Sequence, residues 1–387
     1  YRTVFHGKRT MMRVSLGCDR ILAFAVAVVL GASLYAESTL EAQDQTPPIE
    51  QRADRAAEPS AAAAGNRMTI DVTVMDKLGH HVDGLQAGDF TLLDNKAPQK
   101  IVAFRPLGDR AGADPVHVVI VVDMINTGFG EVAWERQQLD NFLKQDGGKL
   151  EYPTSIAVFA DRGAKLQRAA TQDGNALMAS FDKSQTELRT VTRDAGFYGA
   201  AERLDTSLSQ LNQLSAVEAA QPGRKLFLVI SGGWPLLAVA GDQADMKQRA
   251  WVFNSIVELT NGFRAARITL YCLDPFELGR TSPFYYQGYL KGVASARQAE
   301  YPNLALQVLA EHSGGQVLVQ GKDIAGDLNR AVRDESAGYE LTFESSPGDR
   351  ANEYHALQVQ VDKPNVKVRT VLGYYARPER EDGKTVR

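Results

Sequence analysis

The stretch that most constrains the fold is residues 115–127, with the sequence PVHVVIVVDMINT. Six of the eight residues from Val116 to Asp123 are valine or isoleucine. Such a run is typical of a strand buried on both faces, as in a parallel sheet between two helical layers. Ligands of open α/β sheets bind beyond the carboxyl ends of the strands, which is where Asp123, Asn126 and Thr127 fall. The run therefore predicts a covered sheet and marks a candidate ligand edge.

Strand and helix patterns alternate after this stretch. Further strands are predicted at residues 155–160, 225–231 and 266–274, where apolar residues run together. Apolar residues at helical spacing predict helices at about 131–145 and 198–213 and from about residue 303 to the Gly314-Gly315 pair. This alternation indicates a doubly wound, mostly parallel sheet, which we assign to an α/β domain at residues 115–335.

The segments on either side of this domain have a period of two. Met68, Ile70 and Val72 alternate with polar residues within 68–107, and Tyr339, Leu341 and further apolar residues do so within 336–378. Each segment supplies half-buried strands that cannot close a core alone. We therefore expect them to join into one small β-sandwich, in which the α/β domain is inserted.

The amino-terminal region has the composition of an export signal and a tether. Basic residues precede an apolar run at 21–36 that is shorter than the ~20 residues of a spanning helix. We predict a signal peptide at residues 1–36 and a disordered linker at 37–67, rich in Glu, Gln, Pro and Ala. An uncleaved anchor is the alternative. The expected location is periplasmic or secreted, with no membrane span after cleavage.

Composition excludes some functional classes. The net charge of −4 and the absence of a basic block argue against nucleic-acid binding. The chain has two cysteines, and Cys18 lies in the predicted signal, so no intrachain disulfide is expected.

Short motifs along the chain resemble the von Willebrand factor A-related proteins described from Acidobacteria. The motifs lie at residues 82–90, 126–127, 223–235, 268–275, 309–315 and 373–376. The resemblance implies a von Willebrand factor A-like sheet that binds proteins through a Mg²⁺-dependent adhesion site, whose ligands are Asp-x-Ser-x-Ser, a Thr on a second loop and an Asp on a third.

This chain departs from that ligand set. By the resemblance, Asp123 and Thr127 match the first Asp and the second Ser, but Ile125 stands at the first Ser. The second loop offers Ala195 in place of Thr, and Gly232 replaces the third-loop Asp. Because Mg²⁺ requires six oxygen ligands, the sequence predicts a degenerate site or none. In the alternative interpretation, the Asp123 carboxylate accepts bonds from backbone N–H groups and the Thr127 hydroxyl and so fixes its loop.

The predicted function is binding of an unidentified protein partner in the envelope or outside the cell. The candidate binding residues are Asp123, Asn126, Thr127, Ser231, Gly232 and Trp234, and Trp234 is either an exposed anchor or packed against a neighbouring loop. A metal-independent envelope scaffold is the alternative function. A hydrolase is a remote third function, because the sequence contains no catalytic motif. His117 is expected to be a hydrogen-bonded core residue. We expect no enzyme activity and no cofactor, with Mg²⁺ bound by Asp123 and Thr127 as the alternative.

Overall fold

A computed structural model describes residues 67–108, 114–160, 163–166, 170–185, 197–234, 244–274, 286–319 and 323–376. The predicted signal peptide, the linker up to residue 66 and the second loop with Ala195 lie outside the described residues.

The described residues form fifteen strands and six α-helices. The strands are β1 (Arg67–Met75), β2 (Phe90–Asp94), β3 (Ala97–Gln99), β4 (Ile101–Pro106), β5 (Val116–Asp123), β6 (Lys149–Phe159), β7 (Lys165–Leu166), β8 (Thr171–Asp173), β9 (Arg224–Ile230), β10 (Ile268–Leu273), β11 (Val317–Leu318), β12 (Tyr339–Glu344), β13 (Glu353–Val361), β14 (Lys367–Arg369) and β15 (Gly373–Ala376). The helices are α1 (Phe129–Leu143), α2 (Gly174–Gln185), α3 (Phe197–Ala219), α4 (Met246–Ala266), α5 (Leu306–His312) and α6 (Ile324–Ser336).

The central sheet has seven strands and is mostly parallel. Its order is β11-β10-β9-β5-β6-β7, and β8 also pairs with β6. Five of its strands run parallel to one another, namely β5, β6, β9, β10 and β11. The two short strands β7 and β8 run antiparallel to β6. The first parallel strand, β5, therefore lies between the second, β6, and the third, β9.

Helices cover both faces of this sheet, which explains its continuous apolar strands. Alternate residues of β5 face opposite ways: Val119 and Val121 belong to the core on one face, and Ile120 and Val122 to the core on the other. The first core includes residues of α3, α4 and α5, and the second includes residues of α1, α2 and α6. Because both side-chain rows of β5 are buried, its residues are apolar apart from His117 and Asp123.

Two four-stranded antiparallel sheets form the second part of the fold. One sheet has the order β14-β1-β12-β4 and the other β15-β13-β2-β3. Their inward residues share one hydrophobic core, which includes Met68, Ile70, Phe90, Leu341 and Val359. Each sheet combines strands from before and after the α/β part, as the period-two pattern predicts, because neither segment has enough strands to bury its own apolar face.

The fold class predicted from the sequence is confirmed, with differences at several element boundaries. Strand β6 begins at Lys149, six residues before the predicted start, and its pairing with β8 shifts register between Lys149 and Thr154. The helix predicted from about residue 303 is a 3-10 turn, Tyr301–Leu304, followed by α5. Among the described helices, none combines the length and the apolar character that crossing a membrane requires.

Candidate functional site

The candidate site lies where the strand order of the parallel sheet reverses direction. Strands β5 and β9 are neighbours, with Val122 opposite Ile230, so Asp123 and Ser231 come together at one edge. The chain leaves β5 toward α1 on one face of the sheet and leaves β9 toward α4 on the other. Diverging connections open a crevice at the carboxyl ends of the two strands, the usual place for a ligand in this class of sheet.

The Asp123 carboxylate is the centre of a hydrogen-bond network at this edge. Its side chain is fully buried. Oδ1 accepts from the backbone N–H groups of Ile125 (2.9 Å) and Asn126 (3.1 Å). Oδ2 accepts from the Asn126 side-chain amide (2.8 Å) and from the Ser231 hydroxyl (2.7 Å). These four donors use the roughly four lone-pair directions that a carboxylate offers.

The network extends from the two strand ends to a helix. The Asn126 side-chain amide also donates to the hydroxyl of Ser207 in α3, at 3.0 Å. The Ser231 hydroxyl accepts from the backbone N–H of Gly233, at 3.1 Å. Asp123 thus ties together the loop after β5, the loop after β9 and the side of α3.

Burial and hydrogen bonding shift the pKa of Asp123 in opposite directions. Burial raises the pKa of its carboxyl group above the ordinary value, while the bonds from Asn126 and Ser231 act against that rise. The donors partly replace the water that a buried carboxylate has lost.

These residues do not match the ligand set of a von Willebrand factor A adhesion site. Ile125 and Gly232 offer no side-chain oxygen, and both lie buried in the site. The lone pairs of Asp123 already accept four bonds, so direct coordination of Mg²⁺ would require at least one donor to leave. Among the described residues, no three Asp, Glu, His or Cys side chains are grouped so that they could hold a metal ion.

Thr127 does not donate a hydrogen bond to Asp123, although the loop-anchor interpretation predicted that it would. Its hydroxyl is buried and has no hydrogen-bond partner among the described residues, and the Oδ1 of Asn126 also lacks one. The bonds expected from Thr127 come from Ser231 and from the Asn126 amide instead. Backbone bonds to Asp123 agree with the loop-anchor interpretation, but the hydroxyl that completes the anchor is on the neighbouring strand end.

A second buried acid, Glu135, was missed by sequence reasoning. It lies on α1, is 1% exposed, and neither carboxylate oxygen has a partner among the described residues. Burial raises its pKa to about 9, and the charges of Asp123 and Glu131 add to the rise. The signal was in the sequence, because Glu135 stands one helical turn from both Val132 and Leu139 on the buried face of α1.

Trp234 is a core residue and not the exposed anchor that was one of its two predicted roles. It is 3% exposed and belongs to the hydrophobic core that contains Val293 and Leu304. The exposed aromatic near this edge is Trp251, in the first part of α4, which is 39% exposed. Its ring lies 6.1 Å from that of Tyr301, and Met246 at the start of α4 is 55% exposed.

A Ser-His-Glu arrangement lies away from this site, inside the sheet. His117 Nε2 is 3.0 Å from the Ser155 hydroxyl, and His117 Nδ1 is 2.7 Å from a carboxylate oxygen of Glu218. These distances suit a nucleophile and its base. However, Ser155 is 1% exposed and lies within β6, between β5 and β8, so a substrate carbonyl has no approach path in this structure. The predicted role of His117 as a hydrogen-bonded core residue fits this geometry.

Comparisons with known proteins give structural likeness only. No protein-family model matches the chain, and no curated protein sequence matches it. The chain is similar to the solved VWA domain of SpRpn10, at 13% identity over 55% of this chain and 95% of that one, with a TM-score of 0.26. It is also similar to the TFIIH p34 N-terminal domain, at 12% identity over 56% and 96%, with a TM-score of 0.25.

A third similar structure is the manganese-loaded TRAP protein of Plasmodium vivax. Its identity is 8%, over 73% of this chain and 97% of that one, and the TM-score is 0.28. At such TM-scores the fold assignment rests on the strand order and connections of this chain, and the likeness adds no argument about function. The narrower resemblance to the Acidobacteria proteins stays a prediction.

Proposed function

We propose that this chain is an exported interaction module that binds a protein partner at the carboxyl edge of its parallel sheet. The observation that carries the proposal is the Asp123 network, which holds the loops after β5 and β9 together at the point where the strand order reverses. A polar network with its bonds made keeps loops in one conformation, which reduces the entropy lost on binding.

We propose further that Asp123 serves as a loop anchor and does not coordinate a metal ion. Four hydrogen-bond donors surround its carboxylate, and two positions of the family's ligand set carry no oxygen. The partner would then contact the surface of the loops and not a bound cation.

The exposed side chains near this edge suggest where such a partner binds. Met246 and Trp251 are exposed in the first two turns of α4, which follows the loop after β9, and the ring of the half-buried Tyr301 lies 6.1 Å from that of Trp251. Tryptophan, tyrosine and methionine are enriched in protein interfaces because they bury large apolar areas. Trp251 therefore takes the anchor role that was one of the two roles predicted for Trp234.

Cross-linking capture followed by variants tests this proposal. The purified protein is cross-linked in extract of the source cells, the captured proteins are identified, and one is purified for binding measurements. Trp251→Ala should weaken its affinity at least tenfold, whereas Val102→Ala, an exposed change on β4 of the sandwich, should leave it unchanged. Equal affinities for wild type and Trp251→Ala would remove this surface from the proposal.

A metal-independent envelope scaffold is the second proposal, and strand β4 supports it. β4 lies at the edge of one sandwich sheet and its residues are mostly exposed or half-buried, including Val102 at 39%. An uncovered edge strand can pair with an extended segment of another protein. Loss of a captured partner on Val102→Lys, with no loss on Trp251→Ala, would favour this function over the first.

Export is proposed from the basic and apolar pattern of the first 36 residues. Expression of a tagged chain in a bacterium, followed by cell fractionation, tests it. A shortened product outside the cytoplasm is the expected result, and a full-length product confined to the cytoplasm would contradict it.

A further inference from the structure

A cavity of about 70 Å³ lies where the β-sandwich meets the α/β part, at the end of the sheet opposite to Asp123. Its lining includes Arg224, the first residue of β9, and residues of α4, α6, β1 and β14. The cavity has no part in the proposed function, because it borders the amino end of β9 and not the carboxyl end.

The lining carries hydrogen-bond donors that have no partner among the described residues. Arg224 is 3% exposed, and its Nε–H is unpartnered. Its other nitrogens are engaged: Nη1 lies 2.7 Å from Glu335, and Nη2 donates to the Glu335 carbonyl at 3.3 Å. Arg369 leaves both Nε and Nη1 unpartnered, while its Nη2 donates to Asp334 at 3.0 Å. A buried guanidinium N–H without an acceptor costs free energy, so these donors favour binding of an acceptor in the cavity.

The unpartnered donors belong to charged guanidinium groups, which favour an anion as that acceptor. Four arginines line the cavity against three carboxylates, namely Arg224, Arg264, Arg267 and Arg369 with Asp71, Asp334 and Glu335. Burial raises the pKa of Asp71, and it raises the pKa of Glu335 to about 7, so Glu335 is partly protonated near neutral pH. Arg267 is also paired with Asp114 and Glu340, so the charges that would hold an anion are those of Arg224 and Arg369.

The size of the cavity limits which anion can enter. A volume of about 70 Å³ admits a few water-sized groups but excludes nucleotides and large organic anions. Arg369 also stacks on the ring of Tyr271, 5.0 Å from its centroid, and the Tyr271 hydroxyl donates to Asp334 at 3.0 Å. Both contacts hold Arg369 in place, so its free N–H groups form a fixed set of donors.

We propose that this junction cavity binds one small monovalent anion of the size of chloride or formate, held by the guanidinium groups of Arg224 and Arg369. The bound anion would join β9 of the α/β part to β14 of the sandwich. Water is the competing occupant, because a water oxygen can also accept these bonds.

Thermal unfolding in matched salts tests the proposal on the whole protein. Unfolding is followed in 100 mM potassium chloride, bromide or formate and in potassium gluconate, whose anion is too large for the cavity. The small anions should raise Tm by about 2–4 °C relative to gluconate, because they bind the folded state only. Arg369→Met should lose this difference, and Arg136→Met should keep it, because Arg136 forms an exposed pair with Asp182.

A bromide-soaked crystal of the wild-type protein provides a second measurement that does not depend on a variant folding. An anomalous peak beside Arg224 and Arg369 is the expected result. Equal Tm values in all four salts, or a cavity that holds water alone at this bromide concentration, would overturn the proposal. Partner binding at the Asp123 edge would be unaffected by that outcome.

Discussion

The hydroxyl of Ser231 donates a 2.7 Å hydrogen bond to the buried carboxylate of Asp123, across 108 residues of sequence. The bond joins the ends of β5 and β9, which are neighbours in the sheet. Each of the two strands leads to a helix on a different face, so this bond ties together the starts of the two diverging loops.

Removal of the Ser231 hydroxyl should therefore destabilise the protein. Ser231→Ala leaves a buried carboxylate without one of its four donors, which should lower the free energy of unfolding by about 1.5–3 kcal/mol. Urea unfolding measures the change. Ser209→Ala is the matched control, since Ser209 is exposed on α3, and it should cost less than about 0.5 kcal/mol. A cost for Ser231→Ala no larger than that of the control would show that the bond is unimportant.

Glu135 should make stability depend on pH. Its folded-state pKa, about 9, is above the ordinary value, so the unfolded chain loses this proton first as the pH rises. The wild-type free energy of unfolding should therefore fall between about pH 5 and pH 9, by up to about 1.4 kcal/mol per pH unit from this group. Glu135→Gln removes that contribution, so the variant should exceed wild type by an amount that grows with pH.

Urea unfolding of both proteins at pH 5, 6, 7 and 8 measures this difference. Glu202→Gln serves as the control, because Glu202 is exposed on α3 and is not among the charges that raise the pKa of Glu135. Its difference from wild type should change little across this range. A constant difference between wild type and Glu135→Gln would mean that Glu135 is ionised in the folded protein.

Substitution of Trp234 should mainly lower the stability of the protein, whereas substitution of Trp251 should mainly lower its affinity for the partner. Trp234→Ala empties a site in the core and should cost about 3–5 kcal/mol of unfolding free energy. Trp251→Ala removes a ring that is 39% exposed, so it should cost about 1 kcal/mol or less and act on partner affinity instead. Thermal and urea unfolding of the two variants provide the comparison. If Trp251→Ala proved as destabilising as Trp234→Ala, Trp251 would be a packing residue and not an interface anchor.

Divalent metal should have little effect on stability if Asp123 is a loop anchor. Addition of 5 mM MgCl₂ or MnCl₂ should leave Tm within about 1 °C of the value in EDTA, because binding to the folded state alone would raise it. A rise of several degrees that Asp123→Asn abolishes would show a functional metal site.

The sheet and part of the site follow from the sequence for a physical reason. A strand buried on both faces is mostly apolar, so β5 and β9 appear in the sequence as apolar runs, and parallel strands bring Asp123 and Ser231 to one edge. Ser207 could not be found in this way, because its contact with Asn126 depends on how α3 packs against the loop. The burial of Trp234 likewise depends on residues about 60 to 70 positions later that cover it, such as Val293 and Leu304.

The affinity of one purified partner, measured in EDTA and in Mg²⁺, tests the central claim most directly. The proteins compared are wild type, Ser231→Ala and the sandwich control Val102→Ala. The account predicts equal wild-type affinity in both buffers, at least tenfold weaker binding for Ser231→Ala, and no change for the control. Wild-type binding that is lost in EDTA, or binding by Ser231→Ala as tight as wild type, would contradict it.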